Sequence, residues 1–178
     1  YSTTLRPDTV RRLVDSLALL LVRLHNVGFF WGDVSLSNTL FRRDAGAFAA
    51  YLVDAETGRL YPELSEGQRE HDLEIARVNI AGELMDIAAG GKLDDSIDPV
   101  ETADRIMDAY RNLWHELNDP ELVDQNELWK INQRVQRLNT LGFDIEELSI
   151  TTNEEGTKVR IQPKVVDAGH HARRLLKL

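Results

Sequence analysis

The 178-residue sequence contains no cysteine. This absence excludes disulfide bonds, zinc sites with thiolate ligands and cysteine nucleophiles from the chain. Since disulfides are rare in reducing compartments, the composition is compatible with a cytoplasmic protein, and we expect that location. Long apolar runs are also missing. A run such as residues 17–22 falls far short of the roughly 18 residues that a membrane-spanning helix requires, so we expect no membrane span.

The sequence also lacks an excess of positive charge. It has 21 Lys and Arg residues against 30 Asp and Glu residues, and a net charge of −9. This balance argues against general nucleic-acid binding, which needs a basic surface. The charge is unevenly distributed, because residues 63–127 are strongly acidic and residues 154–178 carry more bases than acids. The simpler interpretation is a solvated acidic helical layer beside a basic tail; the alternative is a tail that binds an anionic partner.

The apolar pattern is mostly helical. It predicts helices over about 9–26, with Asp8 as N-cap, over 68–88, over 99–118 after Asp98, and over 120–140 after Asp119. It predicts a first hairpin with strands over 39–41 and 48–53, a second over 148–153 and 158–162, and a last helix from about Ala168. The predicted class is therefore α+β, mostly helical. The five histidines have no metal-site spacing, and His25 is interpreted as a residue that caps the end of the first helix.

One stretch combines residue types that carry chemistry. Gly32 and Asp33 follow the first helix, Asn38 comes five residues after Asp33, and Asp54 ends the apolar strand of the first hairpin. Gly32 permits a tight backbone turn before Asp33. Because antiparallel pairing brings the two outer ends of a hairpin together, Asn38 and Asp54 are expected to lie close to each other.

This order resembles the catalytic loop and metal-binding strand end of kinase-like phosphotransferases, which read Gly-Asp-x-x-x-x-Asn, a strand, then Asp. The resemblance is to lipopolysaccharide-kinase-like and aminoglycoside-phosphotransferase-like atypical kinases. More specifically, the chain looks like the C-terminal lobe of bacterial kinase-like proteins that carry an extra domain of unknown function. The resemblance implies a protein-kinase-like C-terminal lobe over residues 1–91. Residues 92–178 would then form a helical appendage with a small β-hairpin and a terminal helix.

The resemblance also assigns roles. It implies that Asp33 is the catalytic acid–base residue and that Asn38 and Asp54 bind Mg²⁺, and through it ATP, for phosphotransfer to a hydroxyl acceptor. It implies that Asp72, near the start of the second predicted helix, hydrogen-bonds the backbone of the catalytic loop. A plain first-turn acid stabilised by the helix dipole is the alternative for Asp72.

Three departures from protein kinases accompany the motif. Ala55 and Glu56 follow Asp54 where protein kinases have Phe-Gly, Ser35 stands in place of their loop Lys, and Trp31 precedes Gly32 where related families often have His. These differences favour an atypical or small-molecule phosphotransferase. No Gly-rich phosphate loop is present, and the chain begins at Tyr1 in a region of helical character. We therefore expect an N-terminal lobe upstream, and we expect the chain alone to be inactive.

Two other interpretations compete with an active kinase-like enzyme. In the first, the chain is a non-catalytic pseudokinase-type module that regulates or scaffolds through its acidic helices and basic tail. In the second, it is a plain helical interaction domain with a coincidental motif. The second interpretation predicts that Asp33, Asn38 and Asp54 lie far apart in the folded chain.

Overall fold

The computed structural model of the protein describes residues 4–44, 47–152 and 158–166. The fold is α+β and mostly helical, which confirms the predicted class. The chain forms two compact units, Tyr1–Leu113 and Trp114–Leu178. The boundary predicted from the sequence, between residues 91 and 92, falls earlier in the chain, in the connection between the second and third helices.

The first unit begins with helix α1 (Pro7–Asn26). Arg6 occupies the N-cap position and Asp8 lies in the first turn, so the predicted capping role of Asp8 is wrong. The reason is Pro7, whose fixed φ and missing N–H suit the first helical position and start the helix before Asp8. The broad apolar stripe of the helix is buried, as its width predicts. After the helix, Gly28 has φ +82°, and a Cβ there would lie 2.0 Å from the Tyr61 carbonyl oxygen.

Two small antiparallel sheets follow. Strand β1 (Phe29–Phe30) pairs with β4 (Arg59–Leu60), a pairing that the sequence pattern does not predict. Strand β2 (Thr39–Asp44) pairs with β3 (Ala47–Leu52), with Thr39 opposite Leu52. This confirms the predicted first hairpin, whose β2 strand is longer than expected. Since β1 and β4 pair, the two ends of the segment that carries the Asp-Asn-Asp motif are held together.

Helices α2 (Glu66–Ala89) and α3 (Pro99–Asn118) follow. Ser65 and Gln68 form a capping box at the start of α2, and this places the helix start before the predicted residue 68. At α3 the predicted start is confirmed, since Asp98 Oδ1 accepts hydrogen bonds from the backbone N–H groups of Val100 and Glu101 at 2.8 and 2.9 Å. A parallel bridge between Leu5 and Leu93 joins the start of the chain to the α2–α3 connection.

The second unit contains β5 (Glu121–Asp124), a 3₁₀ turn (Gln125–Glu127), α4 (Trp129–Thr140), β6 (Asp144–Thr152) and β7 (Lys158–Val166). The three strands form one antiparallel sheet in the order β5-β7-β6, and the predicted β6–β7 hairpin is thereby confirmed. The predicted helix start at residue 120 is wrong. Residues 121–124 alternate in burial, with only Val123 buried, and this period of two is that of a strand.

At the end of α4, Gly142 has φ +86° and the Phe143 N–H donates to the Leu138 carbonyl at 3.1 Å, which confirms the predicted glycine C-cap. The predicted helix from Ala168 and the side chains of the basic tail lie outside the described residues. Within the described ranges, none of the helices combines the length and the apolar character needed to cross a lipid bilayer.

Candidate functional site

Asp33 and Asn38 lie in contact in the loop that leads from β1 to β2. The side-chain nitrogen Nδ2 of Asn38 donates to the backbone carbonyl of Asp33 at 3.1 Å and to its carboxylate Oδ2 at 2.9 Å. Both partners are acceptors only, so the network fixes the orientation of the Asn38 amide. The carbonyl oxygen Oδ1 of Asn38 is therefore directed away from Asp33, where an amide oxygen can serve as a ligand for a hard cation.

The hairpin brings the chain around Asp54 to this loop. The backbone N–H of Val53 donates to the carbonyl of Asn38 at 3.1 Å, one residue before Asp54. The Asp54 side chain is exposed, and its Oδ1 accepts a hydrogen bond from the Glu56 N–H at 2.9 Å. The backbone of Asn38 is thus hydrogen-bonded to Val53, the residue directly before Asp54. A role for Asn38 and Asp54 in metal binding stays a prediction.

The side chains near this loop limit what a cation could bind there. Within the described part of the chain, no group of three or more His, Cys, Asp or Glu side chains is arranged to hold a metal ion. The candidate donors are the amide oxygen of Asn38 and the carboxylate of Asp54. Magnesium commonly binds through one or two carboxylates together with phosphate oxygens and water, so a single protein carboxylate is compatible with magnesium binding, which stays a prediction.

The carboxylate of Asp72 holds the loop backbone from inside the first unit. The residue is fully buried, and it accepts hydrogen bonds from the N–H groups of Trp31 and Gly32, both at 2.7 Å. Asp72 is the seventh residue of α2, whose first-turn acid is Glu66. The alternative of a plain first-turn acid is therefore wrong. A buried carboxylate with strong N–H donors is the arrangement that offsets its desolvation.

His25 continues this network into the core. Its Nε2 lies 3.0 Å from Asp72 Oδ2 and its Nδ1 lies 2.7 Å from the Tyr110 hydroxyl. Burial raises the pKa of Tyr110, so the phenol keeps its proton and can donate to Nδ1 while Nε2–H donates to Asp72. The predicted capping role of His25 is wrong, because its ring is buried and joins α1 to α2 and α3. No spacing in the sequence marks His25 and Tyr110, which lie 85 residues apart.

Two further residues of α2 contact the loop and were not predicted. Asn79 Nδ2 donates to Asp33 Oδ1 at 3.3 Å and to the Val34 carbonyl at 3.1 Å. Glu83 accepts hydrogen bonds from the N–H groups of Leu36 and Ser37 at 2.7 and 2.9 Å, and from the Ser37 hydroxyl. At about 100° per residue, Asp72, Asn79 and Glu83 share one face of the helix. That polar stripe is the signal that could have revealed them.

Gly32 is the backbone position that lets the loop turn. Its φ of +78° is unfavourable for other residues, and a Cβ there would lie 3.2 Å from the Phe30 ring and 3.3 Å from the Thr57 carbonyl oxygen. Thr57 closes the other side of the loop, since its hydroxyl donates to the Trp31 carbonyl at 2.8 Å. The predicted tight turn at Gly32 is therefore present, and it is enclosed by the segment that follows Asp54.

The second unit has a family match. Residues 112–178 are similar to the family described as a domain of unknown function (DUF4032). This match begins within two residues of the start of the second unit at Trp114, and it is consistent with the extra domain expected beside a kinase-like region. No curated protein matches the chain.

Proposed function

We propose that the complete protein transfers a phosphoryl group from magnesium-bound ATP to a hydroxyl acceptor. In this proposal the first unit is a kinase-like C-terminal lobe and the N-terminal lobe lies upstream. The observation that supports it best is the bonding of Asn38 Nδ2 to both the carbonyl and the carboxylate of Asp33. This contact brings a candidate proton acceptor and a candidate ligand oxygen together within one short loop.

Asp33 is the proposed acid–base residue. Its two carboxylate oxygens each accept one amide N–H, from Asn38 and from Asn79. A carboxylate has about four lone-pair positions, so each oxygen retains one for an incoming hydroxyl. The side chain is half-buried, and is therefore both restrained and open to an acceptor. In phosphotransfer such a residue orients the hydroxyl and takes up its proton.

Asn38 Oδ1 and the Asp54 carboxylate are the proposed magnesium ligands. When bound, the cation neutralises charge on the nucleotide phosphates. In this proposal the protein supplies two oxygen donors, one of them on Asn38, whose amide contacts Asp33. The hydrogen bond from Val53 N–H to the Asn38 carbonyl supports this assignment, because it joins the backbone of Asn38 to the residue directly before Asp54.

An exposed apolar surface adjoins this site. Leu40 and Tyr51 face each other across β2 and β3, and with Val53 they lie on one exposed face of the hairpin. The Arg42 guanidinium lies 5.8 Å from the centre of the Tyr51 ring. Exposed apolar residues that cluster beside polar groups are typical of a binding surface. In this proposal they contact the nucleotide base or the upstream lobe.

The proposed acceptor is a small molecule or a lipopolysaccharide-type hydroxyl rather than a protein side chain. The support is Ser35, which stands where protein kinases have a loop Lys, and the Ala55–Glu56 pair in place of Phe-Gly. The Ser35 side chain is buried, and its hydroxyl accepts a hydrogen bond from the Asn38 N–H at 3.1 Å. It shapes the loop, and it does not supply the cation that Lys would supply.

The test is calorimetric binding of ATP, with and without Mg²⁺, to the complete natural protein. We expect magnesium-dependent binding that Asp54→Ala abolishes and that Asp86→Ala, an exposed acid on α2, leaves intact. Asp33→Asn should keep nucleotide binding and lose phosphotransfer by about a hundredfold or more. Binding that is absent in the wild-type protein would overturn the proposal and favour a pseudokinase-type scaffold. Turnover retained by Asp33→Asn would contradict the role of Asp33.

A further inference from the structure

We propose that Asn79 and Glu83 are positioning residues, through which α2 sets the geometry of the Asp33–Asn38 loop. This inference rests on the proposed function for its catalytic consequence, while the structural relation can be measured without any activity. Neither residue belongs to the Asp-Asn-Asp motif that led to the site. Both contact it from one face of α2.

Asn79 restrains the Asp33 carboxylate. Its Nδ2 has two acceptor-only partners, Asp33 Oδ1 and the Val34 carbonyl, so the orientation of the amide is fixed by its surroundings. Asn38 holds the other carboxylate oxygen, Oδ2. With one amide donor on each oxygen, the carboxylate cannot rotate about its terminal torsion without losing a hydrogen bond. Removal of Asn79 leaves one of these two restraints.

Glu83 restrains the backbone just before Asn38. Its two carboxylate oxygens accept the N–H groups of Leu36 and Ser37, one each. Charge-assisted hydrogen bonds of this kind are about twice as strong as neutral ones. Asn38 follows directly, and its own N–H is bonded to the Ser35 hydroxyl. The position of the Asn38 side chain is therefore set by a backbone that Glu83 holds.

The arrangement on α2 explains how one helix can hold the whole loop. Asp72, Ala76, Asn79 and Glu83 fall within an arc of about 60° at 100° per residue. Ala76 lies at one edge of this arc, at about +40° from Asp72, and it is completely buried. Leu73 and Ile80 anchor the helix in the core beside the stripe. The polar residues of the stripe thus lie on a rigid support.

The experiment compares Asn79→Ala and Glu83→Ala with matched controls in the complete protein. Val78→Ala removes an exposed neighbour of Asn79, and Asp86→Ala removes an exposed acid of the same helix. We expect hydrogen exchange of the amides of residues 33–38 to rise about tenfold or more in each test variant, because each variant loses at least two hydrogen bonds to the loop. We expect kcat for phosphotransfer to fall by about tenfold or more in each variant, with KM for ATP nearly unchanged in Asn79→Ala and raised in Glu83→Ala, because Glu83 holds the backbone of the proposed ligand Asn38.

Rescue separates positioning from a general loss of packing. Asn79→Gln retains an amide donor and should recover part of the lost kcat, whereas Asn79→Leu, similar in size, should not. Loop exchange and kcat equal to those of the controls would overturn the positioning roles. A wild-type protein without turnover would overturn the proposed function, and the exchange of residues 33–38 would still decide whether Asn79 and Glu83 hold the loop.

Discussion

The two compact units bury different kinds of side chain. In the first unit, the buried residues include polar and charged ones: Ser16, His25, Ser35, Thr39, Asp72 and Thr102. In the second unit, the buried side chains among those described are all apolar: Leu117, Val123, Ile131, Leu138 and Phe143. Burial of a polar group is unfavourable unless its hydrogen bonds are made.

Four of these six buried polar residues collect around one loop, while Ser16 and Thr102 donate to backbone carbonyls in α1 and at the start of α3. Asp72, His25 and Tyr110 lie behind it, and Ser35 and Thr39 lie within it, where the Thr39 hydroxyl donates to the Ser35 carbonyl at 2.7 Å. In the second unit, a partly exposed side chain holds irregular backbone instead. Arg134 donates to the carbonyls of Glu116 and Asp119 at the end of α3. From this difference we infer that buried polar groups are concentrated where the backbone of an irregular loop must be held in place. The proposed chemistry lies at the same loop.

The largest effect is expected for Asp72→Ala. This change removes the acceptor of the Trp31 N–H and of His25 Nε2, both buried, and of the partly buried Gly32 N–H. Loss of one member of such a network lowers the free energy of unfolding by about 3–5 kcal/mol. Urea unfolding can be followed by the fluorescence of Trp31 in a background where the other two tryptophans are replaced by phenylalanine.

The controls for this change are two exposed acids. Asp86→Ala alters the same helix, and Glu121→Ala alters a carboxylate of the second unit whose side chain is 43% exposed beside Arg134. Each change should lower the free energy of unfolding by about 0–1 kcal/mol. The effect of Glu121→Ala is measured by circular dichroism. An Asp72→Ala protein as stable as Asp86→Ala would break the proposed distinction between the units.

A smaller effect is expected for Gly32→Ala. The positive φ of this residue and the nearby Phe30 ring and Thr57 carbonyl make a side chain unfavourable by about 1–2 kcal/mol. Gly82→Ala is the matched control, because Gly82 lies inside α2 with nothing within 4 Å of an added Cβ. That control should stabilise the protein by about 0.5–1 kcal/mol. Melting temperatures should therefore move in opposite directions, and a shared direction would contradict the strained turn at Gly32.

The local parts of the fold could be predicted from the sequence. Capping at Asp98, the glycine C-cap at Gly142 and both β-hairpins depend on residues close together in the chain, and their patterns are strong. An error arose where a local signal competed with a contact that is distant in the sequence. Asp119 and Pro120 are typical of a helix start, yet residues 121–124 form a strand because β7 pairs with them, and that partner is far away in the sequence.

The candidate site could be predicted only in part for the same reason. Asp33 and Asn38 lie five residues apart, so their contact follows from a local loop. The contacts of Asp72, Asn79 and Glu83 with the loop cross 40 to 47 residues. The apolar pattern of α2 also concealed its polar face, because it includes Val78 and Met85, which are 60% and 48% exposed. A search for polar residues at helical spacing would have indicated that face.

The smallest effect is expected for the Glu70–Arg111 ion pair of the first unit. Hydrogen bonds from Arg111 lower the pKa of Glu70, so the pair stabilises the folded state above the unfolded-state pKa of about 4.3. This contribution is lost as the pH falls through the lower pKa of the folded state. Because the Glu70 side chain is 44% exposed, we expect Glu70→Gln to lower the free energy of unfolding by no more than about 1 kcal/mol at pH 7.

The measurement is urea unfolding of wild type and Glu70→Gln at pH 7 and at about pH 3, with a repeat at pH 7 in about 1 M salt. The difference in the free energy of unfolding between wild type and Glu70→Gln should be smaller at about pH 3 and in about 1 M salt than at pH 7 in low salt. If the free energies of unfolding differ by several kcal/mol, or if the difference persists at pH 3, the Glu70–Arg111 pair contributes to stability as much as the buried groups around Asp72. The small change that we expect in the free energy of unfolding would equal the change expected for the Glu121–Arg134 pair of the second unit. Ion pairs with an exposed carboxylate would then contribute alike in both units, and the distinction between the units would depend on the buried polar groups at the loop.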